Sequence, residues 1–434
     1  MNVAVMKTKA EQALAEQSVK AAATLPGDAA LRKTRESAAA AFAALGLPHR
    51  RVEEWKYTDL RALMKETAQP SRTDAKAVKA ALAAALPGLD AATYVFVDGN
   101  LDTASMPPKI AGVTVASFAA ELQHVPELLE PQALETLDAG AQSLIALNAA
   151  LAADGAHVMI AAKVKPAKPI HLVFISSGAA FARNVILAGA GSDATVVETH
   201  ISPDGATRQE NIVTDITLAR DATLRHAVVA DVSAGSVSLA QSLVRLTKDA
   251  RYEPFQLTRG AGLSRHQTTL TFAEEDAIFD FSGAALVHGA GHADTTLVVD
   301  HAVPHCTSRE LYKTVLDGAA RAVFQGKVIV RPDAQKTDGK QMAQALMLSP
   351  DAEFDSKPEL EIYADDVVCG HGATSAQLDD DMLFYCKSRG IPEIEARALL
   401  IESFIGEAID KIAHEATREA IRDFAYAWLR SAKS

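Results

Sequence analysis

The chain is 434 residues long, with 48% apolar and 23% charged residues and a formal net charge of −12. That balance places it among folded globular proteins rather than disordered or fibrous ones, and a prior of about 100–200 residues per domain gives two or three structural regions. A net negative charge without any block of Lys and Arg argues against nucleic acid or an anionic membrane as partner, because phosphate binding is driven by clustered cations that displace counterions.

At the N-terminus, Glu11 and Glu16 interrupt what a signal peptide would need as an unbroken apolar stretch, and no window reaches membrane-spanning length, so a cytoplasmic protein is expected. Ala-rich stretches over Leu14–Ala23 and Thr34–Leu45 carry apolar residues at helical spacing, and Gly46 and Pro48 stop the second. A further helix is predicted over Thr73–Ala84, then a strand at Tyr94–Val97 turning at Asp98-Gly99-Asn100. Residues 1–147 thus read as a mainly helical N-terminal domain.

From 148 to 390 the pattern changes to strands rich in Val, Ile, Leu, Thr and Phe, separated by polar, Gly-containing turns. Asp-Ala pairs precede strands at Asp193, Asp221, Asp249 and Asp276, spacings of 28, 28 and 27 residues. A fixed period in this range, with two strands and no helix in each unit, is the signature of a β-solenoid. Asp at a corner bonds its own turn, and Ala leaves room for the coil above. The turns at Asp317-Gly318-Ala319 and Asp351-Ala352 fall out of phase, which predicts insertions there. The fold class expected is therefore mainly β: a right-handed parallel β-helix core with helical domains at both ends.

Over residues 391–434 the helical period returns. Ile394, Ala398, Ile401, Ile405, Ile409 and Ile412 make one apolar stripe, and Ile421, Phe424, Ala425 and Trp428 a second. Two antiparallel helices are expected to cap the coil or to offer a docking surface.

Chemistry-bearing residues are few. No phosphate-cradling G-x-x-x-x-G-K-[ST] is present, since Gly326-Lys327 lacks the spacing and the hydroxyl, so nucleotide hydrolysis by this chain is not expected. The Gly189-Ala190-Gly191 and Gly289-Ala290-Gly291 pieces read as turns. The three cysteines, Cys306, Cys369 and Cys386, form no C-x-x-C and their odd number argues against a disulfide framework. His288, His292, His301 and His305 crowd ahead of Cys306, but on a strand an i, i+4 pair lies ~13 Å apart, too far to chelate one ion. Cys369 and His371 stand at i and i+2, on one face of an extended segment, with Gly370 and Gly372 flanking the imidazole. Two readings stand beside each other here, a shared ligand site and a Gly-rich turn. Cys386, after Phe384-Tyr385, reads as a buried, inert thiol.

Three stretches carry a resemblance: RVEEWKYTDL (51–60), VDHAVPHCTSRELYKTVLDGAARAVFQGKVIV (299–330) and KPELEIYADDVVCGHGATSAQLDDDMLFYCKSRGI (357–391). Together they resemble the SufB/SufD family of iron-sulfur cluster assembly proteins. Cys369-Gly370-His371-Gly372-Ala373-Thr374 stands where SufB-type chains show an acidic E-H-E-A-T-T-S form, and the few cysteines also fit the SufD branch.

The resemblance implies a non-hydrolytic scaffold that pairs with SufB through the β-helices and carries the SufC ATPase on its C-terminal helices. We assign that docking to Ile401, Phe404, Ile405 and Ile409. The resemblance implies that His371 faces SufB, where the cluster forms; by its i, i+2 spacing Cys369 joins it as a cluster or iron ligand candidate, and Cys306 and His305 are weaker candidates. No tightly bound cofactor is expected in the isolated chain, only a transient iron-sulfur cluster or iron shared with SufB, since such clusters usually need four ligand atoms. A SufB-like or homodimeric scaffold is one alternative, and a polysaccharide-acting β-helix enzyme is a remote one. Against the latter stand 5% aromatics and an Asp379–Asp381 run that reads as a solvated turn.

Overall fold

The computed structural model describes residues 7–129 and 136–431. Two helices, Lys9–Thr24 and Ala29–Leu45, open the chain, the first at a capping box in which Thr8 and Glu11 satisfy each other's backbone donors. A helix over Ala75–Ala84 and a strand over Ala92–Val97 follow where the sequence pattern puts them. The helix Ala139–Leu151 was not anticipated, because it is buried nearly all round and has no polar face to mark a period.

The rest of the body is a parallel β-solenoid whose strands alternate between a ten-stranded and a nine-stranded sheet. Neighbouring strands within each sheet come from successive coils and run parallel, apart from antiparallel additions at the first end. The sheets already include Ala92–Val97 and Val113–Ser117, and their last strand is Val368–Ala376.

Side chains alternate between the lumen and the outside. The lumen holds the largest apolar cluster, with Phe281, Tyr312 and Phe324 packed ring to ring at centroid distances of 6.2 and 5.4 Å. Part of the lumen is charged. Glu198 accepts from His226 at 2.9 Å and pairs with His200 at 3.3 Å, while Arg208 lies 3.1 Å from Glu210.

One corner of the coil turns through a residue of positive φ in successive coils: Gly191, Asp221, Asp249, Asp276, His305 and Lys336. Asp193 is not in that series. It starts its own strand opposite Thr223, and Gly191 is the corner of its coil. The turns at Asp317 and Asp351 are not insertions either. They are the opposite corner, entering the nine-stranded sheet before the strands Arg321–Val330 and Glu353–Ile362.

The first two helices and the RVEEWKYTDL stretch pack on the outside of the nine-stranded sheet, while the helix Ala75–Ala84 lies against Val95, Val173 and Ile175 of the ten-stranded sheet. Trp55 is fully buried, with the Arg265 guanidinium 3.8 Å from its ring centroid and its Nε1 donating to Asp138 at 3.0 Å. Gln325 Nε2 donates to the Glu54 carbonyl at 3.0 Å. The RVEEWKYTDL stretch is thus a latch that fastens the helices to the solenoid.

On the outside of the ten-stranded sheet lie the helices Glu393–Ile409 and Glu415–Ser431. Ile401, Ile405 and Ile409 pack there against Phe255, Leu257, Ala284, Leu311 and Val315. This corrects the docking assignment. Ile405 and Ile409 are wholly buried, Ile401 nearly so, and Phe404 is partly buried with Lys313 Nζ 4.6 Å from its ring centroid. The stripe is turned onto the chain's own sheet because that sheet's outer face is itself apolar, and burying both faces together removes more surface from water than burying either in a thin cap.

Candidate functional site at the open end of the solenoid

The last two strands, Glu353–Ile362 and Val368–Ala376, end the two sheets, and among the described residues no further coil lies on them. Burial falls off accordingly: their residues are half-buried or exposed, where the preceding coils are buried. A terminal strand of this kind presents a row of unpaired backbone donors and acceptors.

Cys369 and His371 sit on this end. Cys369 is in register with Gly339 and His371 with Gln341. Gln341 reaches across the lumen, its Nε2 donating to the Gly326 carbonyl at 3.1 Å, and Cys369 packs against the lumen cluster, so both members of the pair face the lumen mouth. The Cys369 sulfur lies 3.6 Å from where a Cβ on Gly339 would stand, an ordinary contact distance, so the thiol rests over this position of the preceding coil. Cys369 is half-buried and His371 is exposed. Burial holds the Cys369 thiol above its ordinary pKa, and the nearby Asp338 carboxylate pushes the same way against a lowering backbone hydrogen bond at Gly339.

The flanking glycines act on the other face. Neighbours of His371 in a strand point away from it, and a side chain on Gly372 would meet Met342 Cε at 2.6 Å. They therefore open the outer side of the strand, not the approach to the imidazole.

The weaker candidates do not join the pair. His305 is the positive-φ corner of its coil, and Cys306 fills the small buried position beside it that Ala222, Ala250 and Ala277 fill in earlier coils. Its Sγ lies within 3.5 Å of the Pro304 carbonyl, and burial pushes the thiol up to about 11. The other clustered histidines scatter: His292 bonds Thr58 at 3.0 Å, His301 bonds Ser308 at 3.1 Å, and His288 leans on Trp428. Among the described residues, no three His, Cys, Asp or Glu side chains come together that could hold a metal ion. Cys369 and His371 thus make at most half of a four-ligand set.

Cys386 also departs from its expectation. It is half-buried on the short helix Asp380–Ser388, whose Met382, Phe384 and Tyr385 are 53%, 72% and 56% exposed. Ile394 and Leu399 on the next helix are likewise exposed, so Ile394, which spacing puts in the stripe with Ile401, Ile405 and Ile409, does not share their burial.

Residues 173–404 match the model of the SUF system FeS cluster assembly SufBD core domain, and residues 14–172 match the SufBD protein N-terminal region. The chain belongs to the SufBD family. It is 33% identical to an iron-sulfur cluster assembly SufBD family protein of Synechocystis, covering 92% of this chain and 91% of that one. It is 30% identical to the iron-sulfur cluster assembly protein SufD of Escherichia coli over 87% and 88% of the two chains. It is 25% identical to the chloroplastic protein ABCI7 of Arabidopsis thaliana over 91% of this chain and 85% of the relative. This SufBD chain is a SufD homologue and an iron-sulfur cluster assembly protein. Among its described residues no helix is long and apolar enough to cross a membrane.

Proposed function

We propose that this SufD homologue is the non-hydrolytic scaffold subunit of a cytoplasmic SufB–SufC–SufD assembly, and that its half-set of ligands, Cys369 and His371, is completed by a SufB-type partner docked on the open solenoid end. The observation that carries this reading is the exposed His371 beside a half-buried thiol on an unpaired terminal strand, where a second solenoid can continue both sheets. A cluster or iron held there is cargo in transit, with the remaining ligands coming from the partner.

The SufC-type ATPase is assigned to the exposed surface of Met382, Phe384, Tyr385, Ile394 and Leu399. Exposed apolar side chains on two successive helices, beside the ion pairs of Glu393 with Lys387 and Arg397, have the character of an interface. A homodimer through the same terminal strands is the second reading, because an edge strand that accepts a related solenoid also accepts its own copy.

Co-expression of the chain with SufB and SufC tests both. The unaltered chain and His371→Ala should each co-purify with the partners, and only the unaltered chain should restore iron-sulfur enzymes in a deletion strain. Normal maturation by His371→Ala under iron limitation would refute the ligand role, and retention of SufC by Phe384→Ala/Ile394→Ala would refute the docking surface.

A further inference from the structure

Glu310 is a buried acid that none of the roles above uses. On the strand Thr307–Leu316, Leu311 packs beneath the C-terminal helices and Tyr312 belongs to the lumen cluster, so Glu310, alternating with Leu311, faces the lumen. It is in register with Gln341, and Gln341 with His371, which makes one inward-facing column from the interior to the mouth. Glu310 is 4% exposed and neither carboxyl oxygen has a hydrogen-bond partner, whereas most buried polar groups find one.

The cavity that Glu310 lines with Cys369 and His371 is bordered by Arg309, Lys340, Glu407 and Lys411, but its register and strand neighbours on the lumen side are uncharged. Phe281 is its register neighbour in the preceding coil, Ser308 and Tyr312 flank it on its own strand, and Gln341 follows it toward the mouth. Across the lumen, Phe324 packs near Tyr312 and the Gly326 carbonyl takes the Gln341 amide, while Gln341 Oε1 is left without a partner. The titratable groups in this set are Tyr312, whose pKa burial pushes well above the working range, and His301, which bonds Ser308 at 3.1 Å and which burial lowers to about 3. Burial alone holds the Glu310 carboxyl up at about 8, so it is mostly a neutral acid near pH 7.

We propose that Glu310 is the internal counter-charge of the mouth: neutral while the mouth is empty, it releases its proton when a divalent cation binds at Cys369 and His371. The proposal rests on the reading of that pair as ligands and adds a residue acting through space, not a further ligand. Two strand spacings put the carboxyl ~10 Å from the imidazole column position. A double positive charge at that separation, with an effective dielectric constant of ~20, favours ionisation by about 2.4 decades. Starting from about 8, the group then ionises below pH 7. By linkage the cation binds roughly twentyfold tighter at pH 7 than it would above a neutral residue. The balance is simple: for each cation taken up, one O–H bond on Glu310 breaks and one proton reaches solvent, besides any proton lost by the Cys369 thiol.

The test is anaerobic titration of the full chain with cobalt(II) chloride, followed by visible absorption, a pH indicator and infrared difference spectra. The unaltered chain should release one more proton per cobalt than Glu310→Gln and bind roughly twentyfold tighter. It should also lose a protonated-carboxyl C=O band that the variant never shows. Equal proton counts, an affinity matched by a Glu310→Gln chain of unchanged thermal stability, or no cobalt uptake by the unaltered chain would each overturn the proposal. If Glu310→Gln does not fold, Glu310→Met carries the same expectation. His371→Ala separates the two readings: lost cobalt binding there upholds the mouth as the site whatever Glu310 does, and undiminished binding means the ligand reading itself is wrong.

Discussion

Replacing Ile405 with Ala asks whether the C-terminal stripe is core or interface. Ile405 is wholly buried between the helix Glu393–Ile409 and the ten-stranded sheet, among Leu311, Val315 and Ala284. The substitution deletes three carbons, which at ~0.8 kcal/mol each removes about 2.4 kcal/mol of burial. A void of roughly 80 Å³ that did not collapse would add up to about 2 kcal/mol at ~24 cal/mol per Å³. The helix is a separate layer on the sheet, so the loss should show first as local detachment. Amide hydrogen exchange across Glu393–Ile409 should therefore accelerate by about two to three decades, at ~1.4 kcal/mol per decade, while the interior strands change little. Exchange within a factor of a few of the unaltered chain, together with lost ATPase-subunit binding, would refute the packing argument and return the stripe to the partner.

Burial would lower the pKa of His200, but hydrogen bonds and charge from Glu198 and Glu210 overcome this and hold it up at about 9. Its contribution to stability is then fully present below its unfolded pKa of about 6.5 and lost as pH rises through about 9. Nitrogen NMR should show a protonated ring at pH 7.5, and a neutral ring there would refute the network. Glu210 is driven down to about 2, its burial outweighed by Arg208 and His200. Its share is present above the usual glutamate range and lost as pH falls toward 2, so Glu210→Gln should flatten the acid limb of a stability–pH curve. Cys306→Ala should cost less than about 1 kcal/mol, since Ala occupies the same corner position in three other coils. In the folded chain iodoacetamide should label Cys386 and Cys369 well before Cys306, which a mass-spectrometric time course reads. Trp55→Ala should cost about 3–5 kcal/mol and loosen the N-terminal helices, measured as earlier proteolysis of residues 7–64.

The coil repeat, the two flanking helical regions and the position of Cys369 beside His371 were all legible, because each depends on local spacing: a fixed period, a helical period, and i, i+2 on a strand. The corner series was only half legible. It continues from Asp276 to His305 and Lys336, where the backbone keeps its positive φ but the residue type changes, so the Asp-Ala pattern stops while the geometry does not. The helix Ala139–Leu151 was lost for a related reason, as an element buried on all sides has no amphipathic signal.

What the sequence determined by itself was which residues alternate along each strand and which recur along each helix. Only the tertiary structure decided which face is inside. A period of two separates Glu310 from Leu311 without saying that the acid faces the lumen and the leucine faces a helix. Likewise a period of 3.6 marks Ile401, Ile405 and Ile409 as one stripe without saying that the chain's own sheet covers it. Periodicity fixes relative orientation within an element, whereas burial is a property of what the element is packed against, and that is set by coils and helices far away in the chain.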